Sequence, residues 1–288
     1  MANTDLSNPQ NVPGPVFVDT TCIDCGTCYH LASEVFEEKE GASRVMKQPQ
    51  GEEWGGVKRA IVSCPTNSIG LQEKSQDFVN AALDLPLIIN ENVSYCGYTS
   101  KDSFGATSYL IEHPEGNILI DSPRFHPQLV KALEERGGVS LMILTHQDDV
   151  ADHQKFHDHF GCRRIIHRDE VRTSTKDVEL IWEGSEDLEI FKDLKLILTP
   201  GHTKGHLCVL YKDLYLFTGD HLFVNEEEQM LEASKGVCWY SWKEQVKSIE
   251  KLLHYDFEWV MPGHGGWGHF GVSSLEKVSE LVERIRLS

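Results

Sequence analysis

Apolar residues in this chain come in short runs bounded by Gly, Pro, Asn and Asp, as in Val16-Phe17-Val18 and Leu141-Met142-Ile143-Leu144. That spacing predicts many short strands rather than a few long helices. In the first quarter it predicts a strand at 16–18, a helix over 29–35, a strand at 44–46, a helix over 52–62 and a closing strand at 69–71. Residues 1–15 read as a lead, and 72–84 as a polar connector that places a domain boundary near residue 80. Beyond it, strands are predicted at 87–90, 106–112, 117–121, 140–144, 164–167, 188–198, 206–211 and 214–218, and helices at 127–136, 149–159, 242–254 and 273–287. Strand clusters with helices between them argue for an α+β layered fold in two domains, 1–80 and 81–288.

The length of 288 residues, with 40% hydrophobic and 25% charged, suits two folded units and excludes a disordered chain. The formal charge of −18 makes nucleic acid or an anionic membrane a poor partner. No apolar run approaches the roughly 18 residues of a membrane span, and the start carries no charged-then-apolar signal pattern. A small-molecule substrate is the expected partner.

Eight cysteines are divided unevenly: Cys22, Cys25, Cys28 and Cys64 fall in the first quarter, and Cys96, Cys162, Cys208 and Cys238 are scattered singly as small hydrophobes. Cys22-Ile-Asp-Cys25-Gly-Thr-Cys28 is a compact loop that can wrap three corners of an iron–sulfur cube, and Cys64-Pro65 supplies the fourth. A zinc site made by the same thiolates is the alternative, but zinc ribbons pair two separate C-x2-C knuckles. The phrases CIDCGTCYHLASEVFEE and AIVSCPTNSIG resemble the single-cluster bacterial-type ferredoxins over roughly residues 14–75. One 4Fe–4S cluster held by Cys22, Cys25, Cys28 and Cys64 is implied. Such a cluster and unpaired cysteines fit a reducing compartment, the cytoplasm or a plastid stroma.

In the second domain the candidate ligands sit at strand ends: Thr145-His146-Gln-Asp148-Asp149-Val-Ala-Asp152-His153, then His202 in PGHTKGH, Asp220 in FTGDH, and His264 in MPGHGG. Glycines beside them let the chain turn sharply and expose the next side chain. These motifs, with ATSYLIEHPEGNILIDSPRF and FTGDHLF, resemble the metallo-β-lactamase fold superfamily over roughly residues 84–270. The resemblance implies a four-layer αββα sandwich and two divalent metal ions, zinc or iron. It assigns His146, Asp148 and His202 to one ion, Asp152, His153 and His264 to the other, and Asp220 as the bridge; Asp152 is also the expected catalytic carboxylate. The sequence departs from the family's H-x-(H/E/D)-x-D-H pattern, because Asp149-Val-Ala separates Asp148 from Asp152. Asp149 is thus an alternative ligand, and Asp121 a nearby candidate. His206, His221 and His269 read as caps or surface histidines, and the aromatic stretch 238–242 as core packing.

Three functions fit. The first is a metal-dependent hydrolase of an ester or thioester-like bond that uses a metal-bound water. PGHTKGH and FTGD resemble the glyoxalase-II-like hydrolytic branch. The second is an oxidoreductase whose 4Fe–4S cluster passes electrons to a mono- or di-iron site, which requires an electron-transfer partner or reductase. The third is a redox sensor or scaffold in which the cluster only closes a small domain.

Overall fold

The computed structural model describes residues 2–72, 84–225 and 228–287. The predicted boundary near residue 80 lies outside them. The chain packs into two compact units, Met1–Ser140 with Ala151–Cys162, and Leu141–Val150 with Arg163–Ser288. No helix among the described residues is long and apolar enough to cross a membrane.

The first unit opens with β1 (Val16–Val18), α1 (Thr27–Leu31), β2 (Phe36–Lys39), β3 (Ala42–Val45), α2 (Glu53–Ser63) and β4 (Ile69–Leu71). β1 and β4 pair antiparallel with Val16 opposite Leu71, and β2 and β3 form a hairpin. The helix predicted over 29–35 ends early. Glu40 and Gly41 both adopt positive φ, the geometry of a tight two-residue hairpin turn, so Phe36 is drawn into a strand instead. Val16, Val18, Val35, Phe36, Val57 and Ala60 then form a core that includes Cys28 and Cys64.

The same unit continues as an antiparallel meander of β5 (Leu87–Asn90), β6 (Val93–Tyr95), β7 (Tyr109–Ile111) and β8 (Ile118–Ile120). Two helices complete it: α3 (Pro127–Glu135), with Pro in its first turn and His126 as N-cap, and α4 (His153–Phe160), stopped by Gly161 at φ +66°. The predicted helix 149–159 therefore starts four residues late, and the chain before it stays a loop.

In the second unit β9 (Leu141–Ile143), β10 (Arg163–His167) and β11 (Leu180–Trp182) pair in parallel. A six-stranded sheet runs in the order β12 (Leu188–Phe191), β13 (Leu194–Leu198), β14 (Leu207–Tyr211), β15 (Tyr215–Gly219), β18 (Trp259–Pro262), β19 (Gly268–His269). The predicted strand 188–198 is in fact the β12–β13 hairpin. A hairpin of β16 (Phe223–Asn225) and β17 (Met230–Glu232) and two helices, α5 (Trp242–Lys251) and α6 (Ser274–Leu287), complete the unit. β14 and β15 are buried along their whole length, which explains their continuous apolar sequence. Their outer neighbours Ile249 and Leu252 of the α5 segment and Val278 and Leu281 of α6 join Ile197, Leu210, Leu216 and Val260 in one core.

Candidate functional site

Cys22, Cys25, Cys28 and Cys64 line a single cavity together with Val18, Ile23, Ser43 and Ile69, and none is in a disulfide. Backbone donors point at two of the sulfurs, the Asp24 amide donating to Cys22 Sγ at 3.3 Å and the Ser68 amide to Cys64 Sγ at 3.3 Å, and the Thr27 hydroxyl lies 3.3 Å from Cys25 Sγ. Burial, then the neighbouring sulfurs, push the Cys28 thiol well above its usual range. Four cysteine sulfurs, two buried and two half-buried, line this one cavity, and sulfur donors backed by N–H groups fit an iron–sulfur cluster.

The cradle is completed from outside the cysteine segment. Gly105, at φ +83°, lies so close to Cys25 that a Cβ there would sit 2.8 Å from its Sγ, and the Thr27 hydroxyl donates to the Gly105 carbonyl at 3.4 Å. Ser63, one residue before Cys64, accepts from the Thr99 amide at 3.2 Å and the Thr99 hydroxyl at 2.8 Å, and Arg124 donates to the Val62 carbonyl at 3.2 Å. The end of α2 is therefore clamped where it delivers Cys64.

In the second unit β9 delivers Thr145 and His146 into full burial. The Thr145 hydroxyl lies 3.0 Å from His146 Nδ1, which turns Nε2 toward the carboxylates. His146 Nε2 is 3.7 Å from Asp220 Oδ2 and 3.9 Å from Asp148 Oδ2. His202 Nε2 lies 3.6 Å from both Asp148 and Asp220, and His264 Nε2 lies 3.5 Å from Asp220 Oδ2. Two overlapping sets of ligand atoms fall within 4.8 Å of one another, His146 with Asp148 and His202, and His146 with Asp149 and Asp220. Gly263 makes room for the carboxylates: a Cβ there would be 2.8 Å from Asp220 Oδ1 and 3.0 Å from Asp149 Oδ2.

His146 Nε2, His202 Nε2 and Asp220 Oδ1 are buried without hydrogen-bond partners, a costly arrangement unless a cation sits among them. Burial lowers the pKa of His146, which keeps the ring a neutral donor. Burial also opposes ionisation of Asp220, but His264, His146 and His202 outweigh it and hold the carboxylate charged. At His202 burial pulls the pKa down, while Asp148 and Asp220 more than compensate and raise it. Asp148 is lowered chiefly by the His202 imidazole beside it. Imidazole nitrogens facing carboxylate oxygens form a mixed nitrogen and oxygen donor set suited to zinc or iron.

Supporting groups surround this set. Glu170 is fully buried, and its two oxygens accept the Gln147 amide at 2.9 Å and the Gly205 amide at 2.6 Å, which ties the His146 loop to the His202 loop. His206 Nε2 accepts the Asp220 amide at 3.2 Å, while Nδ1 lies 3.1 Å from the Thr199 hydroxyl. That pairing places the proton on Nδ1, and burial keeps the ring neutral. The surface or cap reading of His206 and His221 is corrected here, because both are fully buried, with rings 5.5 Å apart; burial takes the His221 pKa down to about 3. Their spacing in PGHTKGH and GDH was visible, but periodicity gave no signal of burial. Glu170 had no motif to mark it.

The structure thus gathers His146, Asp148, Asp149, His202, Asp220 and His264. Asp152 and His153 belong to neither ligand-distance group found among the described residues. One Asp152 oxygen accepts the Phe125 amide at 2.8 Å and the other pairs with Lys155 at 2.7 Å, while His153 is buried in the first turn of α4. Asp121 follows β8, buried at φ +57°.

Residues 18–71 match the 4Fe-4S single cluster domain of ferredoxin I, and residues 102–264 match the metallo-beta-lactamase superfamily. The chain belongs to the metallo-beta-lactamase superfamily. This superfamily member fuses that fold to a ferredoxin-type cluster segment. It is 26% identical over 209 residues to a hydroxyacylglutathione hydrolase of Rhizobium meliloti (strain 1021), covering 71% of this chain and 76% of that one. It is also 26% identical over 199 residues to the beta-lactamase-like protein 2 homolog of Drosophila melanogaster, covering 59% of this chain and 62% of that one. Among solved structures it resembles the BLEG-1 B3 metallo-beta-lactamase, with a TM-score of 0.51 and 17% identity over 63% of this chain and 95% of that one. The VMB-1 structure gives 0.52 and 18% over 69% and 96%. At these identities the structures establish the fold.

Proposed function

We propose that this protein is a metal-dependent hydrolase of an ester or thioester-like bond in a small molecule, built as a ferredoxin-type domain (1–80) followed by a metallo-β-lactamase-fold domain (81–288). The observation that carries the reading is the convergence of three imidazoles and three carboxylates at one largely buried centre in this fold. The thioester class draws support from the relatives named hydroxyacylglutathione hydrolase.

His146, Asp148 and His202 would hold one divalent ion. Asp149, Asp220 and His264 would hold the second, with Asp149 in the place anticipated for Asp152 and with His153 left as a buried helix residue. Ions bound there supply Lewis acidity toward a carbonyl oxygen and acidify water. Asp220 faces three imidazoles through Oδ2, so one carboxylate orients the whole set. His206 fixes the backbone that presents Asp220, and Glu170 fixes the two loops that present His146 and His202. Asp148, with its side chain 45% exposed, lies on the open side, where it can accept a proton from the attacking group while His202 keeps it ionised. Anaerobically purified protein should contain both ions and cleave a thioester from a panel of thioesters, lactones and esters. Full metal occupancy with no turnover of any of them overturns the reading.

A second reading, an oxidoreductase fed through the cluster and a partner reductase, is favoured by the carboxylate-rich donor set and the cysteine cradle in one chain. Zinc alone at the second centre, with no substrate-dependent reoxidation of the reduced cluster, counts against it. A reducing compartment, cytoplasm or plastid stroma, suits either reading.

A further inference from the structure

The segment that follows β17 is bound to the metal-ligand turn by consecutive residues. The amides of Trp239 and Tyr240 donate to the His202 carbonyl at 2.9 and 3.0 Å, the Ser241 amide donates to the Gly201 carbonyl at 3.0 Å, and Cys238 Sγ donates to the same carbonyl at 3.2 Å. Ser241 then caps α5 by accepting the Glu244 amide. The backbone is held at both ends, yet the side chains it carries are left in water. Trp239 is 65% exposed and Tyr240 49%, and Val237 beside them is also exposed. The sequence-based reading of 238–242 as core packing is therefore wrong for these rings.

Their position gives the exposure a purpose. The Trp239 ring centroid lies 6.2 Å from that of His202, edge-on, and His202 is the ligand paired with the exposed Asp148. Large aromatic rings on a fixed backbone lose little entropy when a ligand covers them, and flat π faces reward a flat partner beyond the area buried. Neither ring carries a formal charge and their π faces disfavour an anionic group, so the contact selects shape and polarisability over an acidic side chain.

We infer that Trp239 and Tyr240 form the lip of the metal centre that binds an aromatic group on the acyl side of the substrate, which makes aryl or arylalkyl acyl thioesters the preferred class. The inference rests on the hydrolase reading for the reaction but not for the binding. A ring seated on Trp239 would place the rest of the acyl group on the His202 side of the centre, which is 6.2 Å away between ring centroids.

The test is equilibrium binding of two product-like probes, phenylacetate and acetate, to the metal-loaded full chain by calorimetry. Phenylacetate is expected to bind about tenfold more tightly, equivalent to about 1.4 kcal/mol. Trp239→Ala should erase that preference with metal content unchanged, and Trp239→Phe should restore most of it. Equal affinities in the unaltered protein, or a preference that survives the double change Trp239→Ala with Tyr240→Ala, overturn the inference. Sedimentation of the same samples covers the competing occupant: a dimer that Trp239→Ala dissociates, with no difference between the probes, means that a second copy covers the lip and overturns it as well. Because no turnover is read, a protein that cleaves no thioester can still pass this test, and one that cleaves aryl and alkyl thioesters alike fails only the lip.

Discussion

Three of the four proposed cluster cysteines lie within seven residues of chain, whereas the six residues of the proposed metal centre are spread from His146 to His264. The cysteine loop converges by its own short-range geometry and takes from the rest of the fold a fourth cysteine, Cys64, held at the end of α2 by Thr99, and a close contact of Gly105 with Cys25. The metal centre has no local geometry of its own. It exists because β9, the turn after β13, and the ends of β15 and β18 finish near one point, and because Glu170 and His206 fix the loops between them. A site encoded locally should fail alone when one ligand is lost, and a site encoded by packing should also fail when a distant support is lost.

The largest effect tests the independence of the two sites. Cys28→Ala should abolish the visible absorption of the cluster, while metal quantitation finds the second centre still loaded; loss of both would mean that the centres share one folding unit. Next, Asp220→Ala removes the carboxylate that faces three imidazoles, and hydrolysis should fall by about 10³-fold with the cluster spectrum unchanged. A smaller effect concerns β10, the strand that leads into Glu170. Arg164 is almost wholly buried and is held by Glu179, so Glu179→Ala should cost about 3 kcal/mol in urea denaturation by stranding that charge.

The same pair has a pH signature. Burial opposes ionisation of Glu179, but Arg164 outweighs it and lowers the pKa below 4.5. Its contribution to stability is then fully present above the unfolded value near 4.5 and is lost as pH falls through the lowered folded value. Glu179→Gln should flatten that part of the stability profile; an unchanged acid limb would show that the pair is not responsible. The smallest effect sharpens the comparison most. Glu170→Ala touches no proposed ligand, yet it should weaken metal binding about tenfold, measured by chelator competition, because two loop amides lose their acceptor. Unchanged affinity would mean that the ligand loops hold themselves.

Legibility follows the same division. The cysteine spacing was readable because chemistry fixes it within one loop. In the second domain His146, His202, Asp220 and His264 were readable because each stands beside glycines or just after an apolar run, and Asp148 because it follows His146 at motif spacing. Which of Asp148 and Asp149 is a ligand was undecidable from spacing, since both follow His146 within one loop. The structure brings each within ligand distance of His146, while it starts α4 at His153 and binds Asp152 to Phe125 and Lys155. His206 and His221 were misread as caps or surface histidines, and Glu170 went unassigned, because burial is a property of layers rather than of neighbours. Trp239 and Tyr240 were misread for the opposite reason: hydrophobicity predicts burial on average, and a backbone pinned to His202 can hold rings outside.

By itself the sequence determined which chemistry this chain carries: sulfur ligands for a cluster first, then imidazoles and carboxylates at strand ends, in an α+β chain. Spacing and residue type suffice for that, since ligand chemistry is local. Only the tertiary structure decided which carboxylates face one another, which histidines are buried supports, and which aromatic rings stay in water, because those depend on strands far apart in the chain finishing at the same place.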